Sequence, residues 1–355
     1  MKTVFLESHN IDNRYSGFGQ YNYHLIRGLY QARLDDFRIT LHARDTAALK
    51  AEFGSCFDYR KYYPTSRYPL FRIRQKYDLW HCLNQNIKVE PYHALPYLLT
   101  VHDINFVDET SAALQRERRL RFARKLDRCS AIVYISNYVR EYTLRHFDIP
   151  EVPQYVIYNG NPIVDTGLAD DFRPRLQASR PFLFSIGEFS PRKNFHTLVE
   201  MLAQLPEFDL VLAGNNQTDY AKQKLADAIQ RLKLENRVLI TGKISELEKQ
   251  FYLKNCFAFV FPSLLEGFGF PPIEAMRFGK PVFLQNATSL PEVGGEHAYY
   301  WNHNDPVYMA QVFEQGIDDF ERNRKIREQA CIAWASKFDW RDAAMRYAQI
   351  YRSLI

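Results

Sequence analysis

Short apolar runs punctuate the chain, and between them lie stretches in which apolar residues return every three or four positions. The runs at residues 3–6, 39–41, 79–82, 97–101, 131–135 and 155–158 read as buried strands, and those at 20–32 and 114–126 as amphipathic helices. The pattern pauses at the turn cluster Asn159-Gly160-Asn161-Pro162 and a polar linker over 165–180. It then restarts, with strands at 182–186, 208–213, 238–241, 258–261 and 282–284 and helices at 195–205, 220–232, 246–254 and 272–278. A last helical stretch covers 340–355. Strand–helix alternation predicts mostly parallel sheets covered on both faces. The expected fold is α/β: two Rossmann-like doubly wound domains, 1–165 and 175–339, facing each other across a cleft. At 355 residues the chain exceeds what one core usually supports. Ligands of such sheets bind beyond the carboxyl ends of the strands, so chemistry is expected just after strands.

Four motifs stand there. Glu266-Gly267-Phe268-Gly269-Phe270-Pro271-Pro272-Ile273-Glu274 follows the strand at 258–261. Its glycines allow close backbone approach, its prolines open a helix, and amides at that helix start suit a phosphate. Glu274 offers acceptors to a ribose diol and Glu266 to sugar hydroxyls; a rigid strand–helix turn is the plain alternative. Gly187-Glu188-Phe189-Ser190-Pro191-Arg192-Lys193-Asn194 follows the strand at 182–186, and Arg192 with Lys193 supplies a fork and a point charge for a diphosphate. The alternative is a solvated basic turn. Gly17-Phe18-Gly19 follows the first strand and opens a helix, but Asn22 stands where a dinucleotide fingerprint needs glycine. His102-Asp103 follows the strand at 97–101; His102 is placed to contact a transferred sugar or a developing phosphate charge and Asp103 to orient it or bind acceptor hydroxyls, with a structural histidine as the plain alternative. Lys243 and Ile244, after 238–241, are placed to read a base edge through their backbone or form only a turn.

Composition narrows the classes. Aromatics reach 15%, which suits clefts that stack on sugars or bases as well as large cores. The net charge of +5 favours anionic ligands. Five scattered cysteines make no C-x-x-C pair, so neither zinc nor a disulfide framework is indicated. The opening Met-Lys-Thr-Val-Phe-Leu-Glu-Ser-His is too short an apolar run for a leader or a span, and a cytoplasmic location is expected. Arg116, Arg118, Arg119, Arg121, Arg124, Lys125 and Arg128 fall on one predicted helix. They read as a solvated face, or as a patch for an acceptor or for peripheral contact with the cytoplasmic face of the inner membrane. No D-x-D stands at a strand end; Asp170-Asp171 and Asp318-Asp319 read as surface pairs, so no metal is expected.

Glu266 to Glu274 matches the E-x7-E signature of retaining GT-B glycosyltransferases of family 4. In the same order along the chain stand Gly17-Phe18-Gly19, His102-Asp103, Ile135-Ser136, Asn159-Gly160, Pro191-Arg192-Lys193-Asn194, Thr241-Gly242 and Phe338-Asp339-Trp340. The chain resembles bacterial mannosyltransferase-like members that build surface polysaccharides. The resemblance implies that Glu274 binds the donor ribose and Glu266 the donor sugar. Amides of Gly267, Phe268, Gly269 and Phe270 would hold sugar and diphosphate, and Arg192 and Lys193 would neutralise the leaving diphosphate. Gly17, Phe18 and Gly19 would close over the donor, His102 would lie near the transferred sugar, and the last helix would cross back to the N-terminal domain. Many relatives carry an arginine straight after the glycine at 187, where this chain has Glu188. The implied co-substrate is a GDP- or UDP-sugar, with no other cofactor; the implied acceptor is a saccharide or lipid-linked saccharide. A nucleotide-sugar epimerase, a phosphorylase and a non-catalytic nucleotide-sugar-binding protein are the competing readings. A nucleic-acid partner has only the arginine-rich stretch behind it.

Overall fold

The computed structural model describes residues 1–108, 111–163, 167–169 and 171–355. Of the linker read at 165–180, residues 165, 166 and 170 lie outside the described residues, and so does Asp170 of the Asp170-Asp171 pair. The chain forms two compact units: Met1–Pro162 with Asp339–Ile355, and Ile163–Phe338.

The first unit carries β1 (Lys2–Glu7), β2 (Phe37–Ala43), β3 (Asp58–Lys61), β4 (Leu79–Cys82), β5 (Tyr97–Val101), β6 (Ala131–Tyr134) and β7 (Gln154–Val156). Its helices are α1 (Gly17–Ala32), α2 (Thr46–Phe53), α3 (Ala112–Leu126) and α4 (Asn137–His146). In the second unit lie β8 (Phe182–Ile186), β9 (Asp209–Ala213), β10 (Val238–Gly242), β11 (Ala258–Phe261), β12 (Val282–Gln285) and β13 (Tyr299–Trp301). Its helices are α5 (Phe195–Leu202), α6 (Ala226–Arg231), α7 (Glu246–Asn255), α8 (Phe270–Arg277), α9 (Leu290–Gly294), α10 (Pro306–Arg322) and α11 (Arg324–Ser336); α12 (Trp340–Leu354) belongs to the first unit.

Strand order is β3-β2-β1-β4-β5-β6-β7 in one sheet and β10-β9-β8-β11-β12-β13 in the other, and the pairings are parallel. Each order reverses once, between β1 and β4 and between β8 and β11. Those reversals are the switch points at which open sheets leave a crevice beyond the strand ends. The continuous apolar strands follow from burial on both faces. In β9, Leu210 and Leu212 enter one apolar layer with Leu198 and Phe313, while Val211 and Ala213 enter the other with Phe259 and Leu284. That is the period of two expected of a strand.

Several boundaries differ from the sequence reading. β3 was not read because Asp-Tyr-Arg-Lys has no apolar run; it is an edge strand, covered on one side by β2. The stretch read as one helix at 220–232 is a π turn, Ala221–Leu225, running into α6. The tyrosine hydroxyl at its start, on Tyr220, accepts from the His196 amide at 3.0 Å. α8 starts at Phe270 rather than at 272.

Candidate active site

In the second unit the site begins where β8 and β11 end side by side. After β8 the chain makes a 3₁₀ turn, Pro191–Lys193, and Asn194 in the left-handed region turns it into α5. After β11 the loop returns to this turn: the Leu264 amide donates to the Arg192 carbonyl at 2.8 Å. The two loops are thereby one backbone-linked structure at the switch point. Across it the ammonium of Lys193 is ion-paired with the Glu266 carboxylate, which also accepts from the Ser263 hydroxyl at 2.6 Å. Lys193 Nζ lies 4.6 Å from the Phe261 ring centroid, and its stem crosses Gly187, where a Cβ would come within 3.1 Å of Cε. Arg192 is exposed, with Nη1 3.4 Å from the Leu265 carbonyl.

Burial pushes the Glu266 carboxyl up, but Lys193 and Arg192 outweigh it and hold it below the ordinary carboxylate value. Burial pulls the Lys193 ammonium down against the opposing charge of Glu266. The Glu266 loop is fixed from behind. Its amide donates to Thr288 at 3.1 Å, and Ser289 donates to the carbonyls of Glu266 and Phe268 at 2.9 and 2.8 Å. Gly269, at φ 106°, caps α8 in a conformation open only to glycine at low cost.

Pro271 and Pro272 carry no amide hydrogen. Among the first three residues of α8 only Phe270 therefore has one, a narrower donor set than a helix start usually offers. Glu274, further along α8, is buried and its Oε1 accepts from Lys249 of α7 at 2.8 Å. Burial raises the Glu274 carboxyl although Lys249 opposes the shift. Lys249 also pairs with Glu246 at 2.9 Å. It was missed from sequence because Glu246-x-x-Lys249 looks like a routine surface helix pair. The signal available was that a carboxylate on a buried helix face requires a cation. Lys243 is exposed and Ile244 half-buried, just beyond Gly242, whose carbonyl accepts from the Gly214 amide at 2.9 Å.

In the first unit His102 is buried, with its ring edge-on to Phe18 at 5.0 Å and Tyr21 at 4.4 Å. The structure thus brings His102 and the Gly17-Phe18-Gly19 turn together. Burial lowers the His102 pKa to about 4, so the ring is neutral at pH 7 and its Nε2–H donates to the Leu83 carbonyl at 2.8 Å. Asp103 accepts from Gln85 and the Asn105 amide, both at 3.3 Å. The two glycines differ. A Cβ on Gly19 would collide with the Asn13 carbonyl, so internal packing demands that glycine; Gly17 faces open space. The Ser136 hydroxyl accepts from the Val139 amide at 3.1 Å, capping α4.

The basic run on α3 is not one face. Lys125 points inward and pairs with Glu90 at 2.6 Å, beside Cys82 and Tyr97, and Arg128 shares that carboxylate at 2.8 Å. Of the seven, Arg116 and Arg124 are exposed, Arg118, Arg119, Arg121 and Arg128 half-buried, and Lys125 buried. Among the described residues no helix is long and apolar enough to cross a membrane, and no group of three His, Cys, Asp or Glu is placed to hold a metal ion.

Two parallel switch points, one carrying a buried ion pair on a glycine-rich loop, define an α/β protein of the GT-B kind. Residues 15–163 match the model described as Glycosyltransferase Family 4, and residues 169–333 match Glycosyl transferases group 1. The chain belongs to this glycosyltransferase family. Escherichia coli "Serotype-specific mannosyltransferase WbdA" is 33% identical over 168 residues, 46% of this chain. This chain spans only 20% of that relative's length. Escherichia coli "O-antigen chain mannosyltransferase B" is 26% identical over 343 residues, covering 90% of this chain and 85% of its own. The structure of Anabaena Alr3699/HepE in complex with UDP-glucose superimposes with a TM-score of 0.73 at 21% identity, covering all of both chains.

Proposed function

We propose that this chain is a retaining hexosyltransferase that moves mannose, or another hexose, from a GDP- or UDP-sugar to a saccharide or lipid-linked acceptor in surface polysaccharide synthesis. The observation that carries the reading is the Lys193–Glu266 pair held between the loops after β8 and β11. The relatives' names, both mannosyltransferases, favour mannose, and the Anabaena neighbour binds a nucleotide sugar. In this reading the Glu266 carboxylate takes hydroxyls of the donor sugar while Lys193 and Arg192 take up charge on the departing diphosphate. Fixed cations aimed at developing negative charge need no reorganisation during transfer. Amides of the Gly267–Phe270 turn hold sugar and diphosphate, and Glu274, braced by Lys249, offers Oε2 to the ribose. His102, kept neutral, contacts the transferred sugar, and the acceptor hydroxyl releases its proton to the leaving phosphate. No metal is required by this scheme.

Lys193→Ala and Glu274→Ala should each lower transfer by about 10- to 1000-fold with an unchanged circular dichroism spectrum. The donor is first chosen by thermal shift among GDP-mannose, UDP-glucose and UDP-galactose. Full activity in both variants would overturn the assignment.

A further inference from the structure

At the switch point of the first sheet lies a cluster that the scheme above leaves unused. Glu7 ends β1, opposite Cys82 of β4, and its side chain is buried. Its Oε1 stands 2.7 Å from His9 Nδ1 and 3.1 Å from His42 Nδ1. Burial pushes this carboxyl up, but His9 and His42 outweigh the effect and hold it down at about 2. An ionised carboxylate only accepts, so both Nδ1 atoms carry the hydrogen. With Nδ1 carrying the hydrogen, the tautomer of an uncharged ring puts its lone pair on Nε2. The Nε2 of His42 is buried without a partner. His9 differs: its side chain is 12% exposed, and its Nε2 is neither hydrogen-bonded nor enclosed. The ring is also fixed in plane, stacked on Tyr62 with centroids 4.3 Å apart and 5° between planes.

A buried charge therefore sets the tautomer of an imidazole whose orientation is locked and whose accepting nitrogen reaches the surface. Such an atom suits a hydroxyl donor. We propose that His9 Nε2 receives a hydrogen bond from a hydroxyl of the acceptor saccharide, with Glu7 as the positioning residue behind it. The proposal rests on the glycosyl-transfer reading.

The test is a steady-state transfer assay with the full chain. It uses the nucleotide sugar selected by thermal shift and a methyl α-mannobioside as acceptor, each varied at saturating concentration of the other. His9→Phe keeps a ring for Tyr62 but removes the nitrogen. It should lower kcat/KM for the acceptor by about tenfold, the size of one lost hydrogen bond, and leave the donor KM and the donor-induced thermal shift unchanged. Glu7→Gln should move the same acceptor parameter in the same direction by a smaller factor. An acceptor kcat/KM within about twofold of the parent in His9→Phe overturns the proposal alone. A parent chain that consumes no nucleotide sugar overturns the transfer reading and this proposal together. If His9→Phe does not fold, His9→Asn is read by the same limits.

Discussion

At the scale of single residues, similar letters carry different burdens. Gly17 and Gly19 read alike in the sequence, yet only one is enforced by its neighbours. A methyl group on Gly19 meets the Asn13 carbonyl, whereas Gly17 has nothing within 4 Å. Gly19→Ala should therefore cost about 1–3 kcal/mol of stability through overpacking, read as a shift of the urea midpoint. Gly17→Val should stay within about 0.5 kcal/mol of the parent. Equal midpoints for the two variants would contradict the packing account. The same contrast separates Arg192 from Lys193, adjacent cations of which one is exposed and the other buried against Glu266. No local pattern distinguishes them, because the difference comes from which way the 3₁₀ turn points each stem.

At the scale of elements, the last helix shows how packing exploits small side chains. α12 is capped by Asp339, whose carboxylate accepts from the amides of Arg341 and Asp342 at 2.8 and 2.9 Å. It lies against α1, where Gly28 lets the Trp340 carbonyl approach, and Gly160 accommodates the Trp340 ring. Behind it Tyr347 bonds Tyr21 at 2.7 Å and Tyr351 bonds His81 at 2.7 Å. The helix itself was legible from its apolar period. The family resemblance implied that it crosses back to the N-terminal domain, but the glycines that seat it were not legible, since Asn159-Gly160 read as a turn and Gly28 carries no local signal of its contact with Trp340. Gly28→Ala should push α12 off α1 and lower stability by about 1–3 kcal/mol despite alanine's better helix propensity. A urea midpoint at or above the parent's would show that the two helices can separate at no cost.

At the scale of the whole molecule, buried titratable groups set the acid side of the stability curve. His102 and His81 are held neutral by burial, with values lowered from 6.5 to about 4 and about 3. Below pH 6.5 the unfolded chain binds protons that the folded chain refuses, so stability falls as pH falls. The contribution lost is on the order of 2 kcal/mol for each histidine by pH 5. Glu7 acts in the same direction lower down: its carboxyl is ionised in the fold to about 2 against 4.5 unfolded, so its stabilisation is lost between those values. Urea midpoints measured from pH 7 to pH 4 should decline throughout, and His81→Gln should flatten the decline. A midpoint constant to pH 5 would refute the neutral-histidine account.

The sequence by itself determined the architecture and singled out the loops in which the candidate site residues stand. Short continuous apolar runs alternating with helical periods are met by parallel strands covered on both faces, and glycine, proline and charge beyond a strand end mark a loop as a candidate ligand site. Glu266, Lys193 and Glu274 were visible on those grounds. Tertiary structure alone decided the partners: Lys249 for Glu274, Lys193 for Glu266, and two histidines for Glu7. An ion pair in a low-dielectric interior depends on atoms a few ångströms apart, and, His9 beside Glu7 excepted, those atoms come from segments whose separation along the chain carries no trace of the contact.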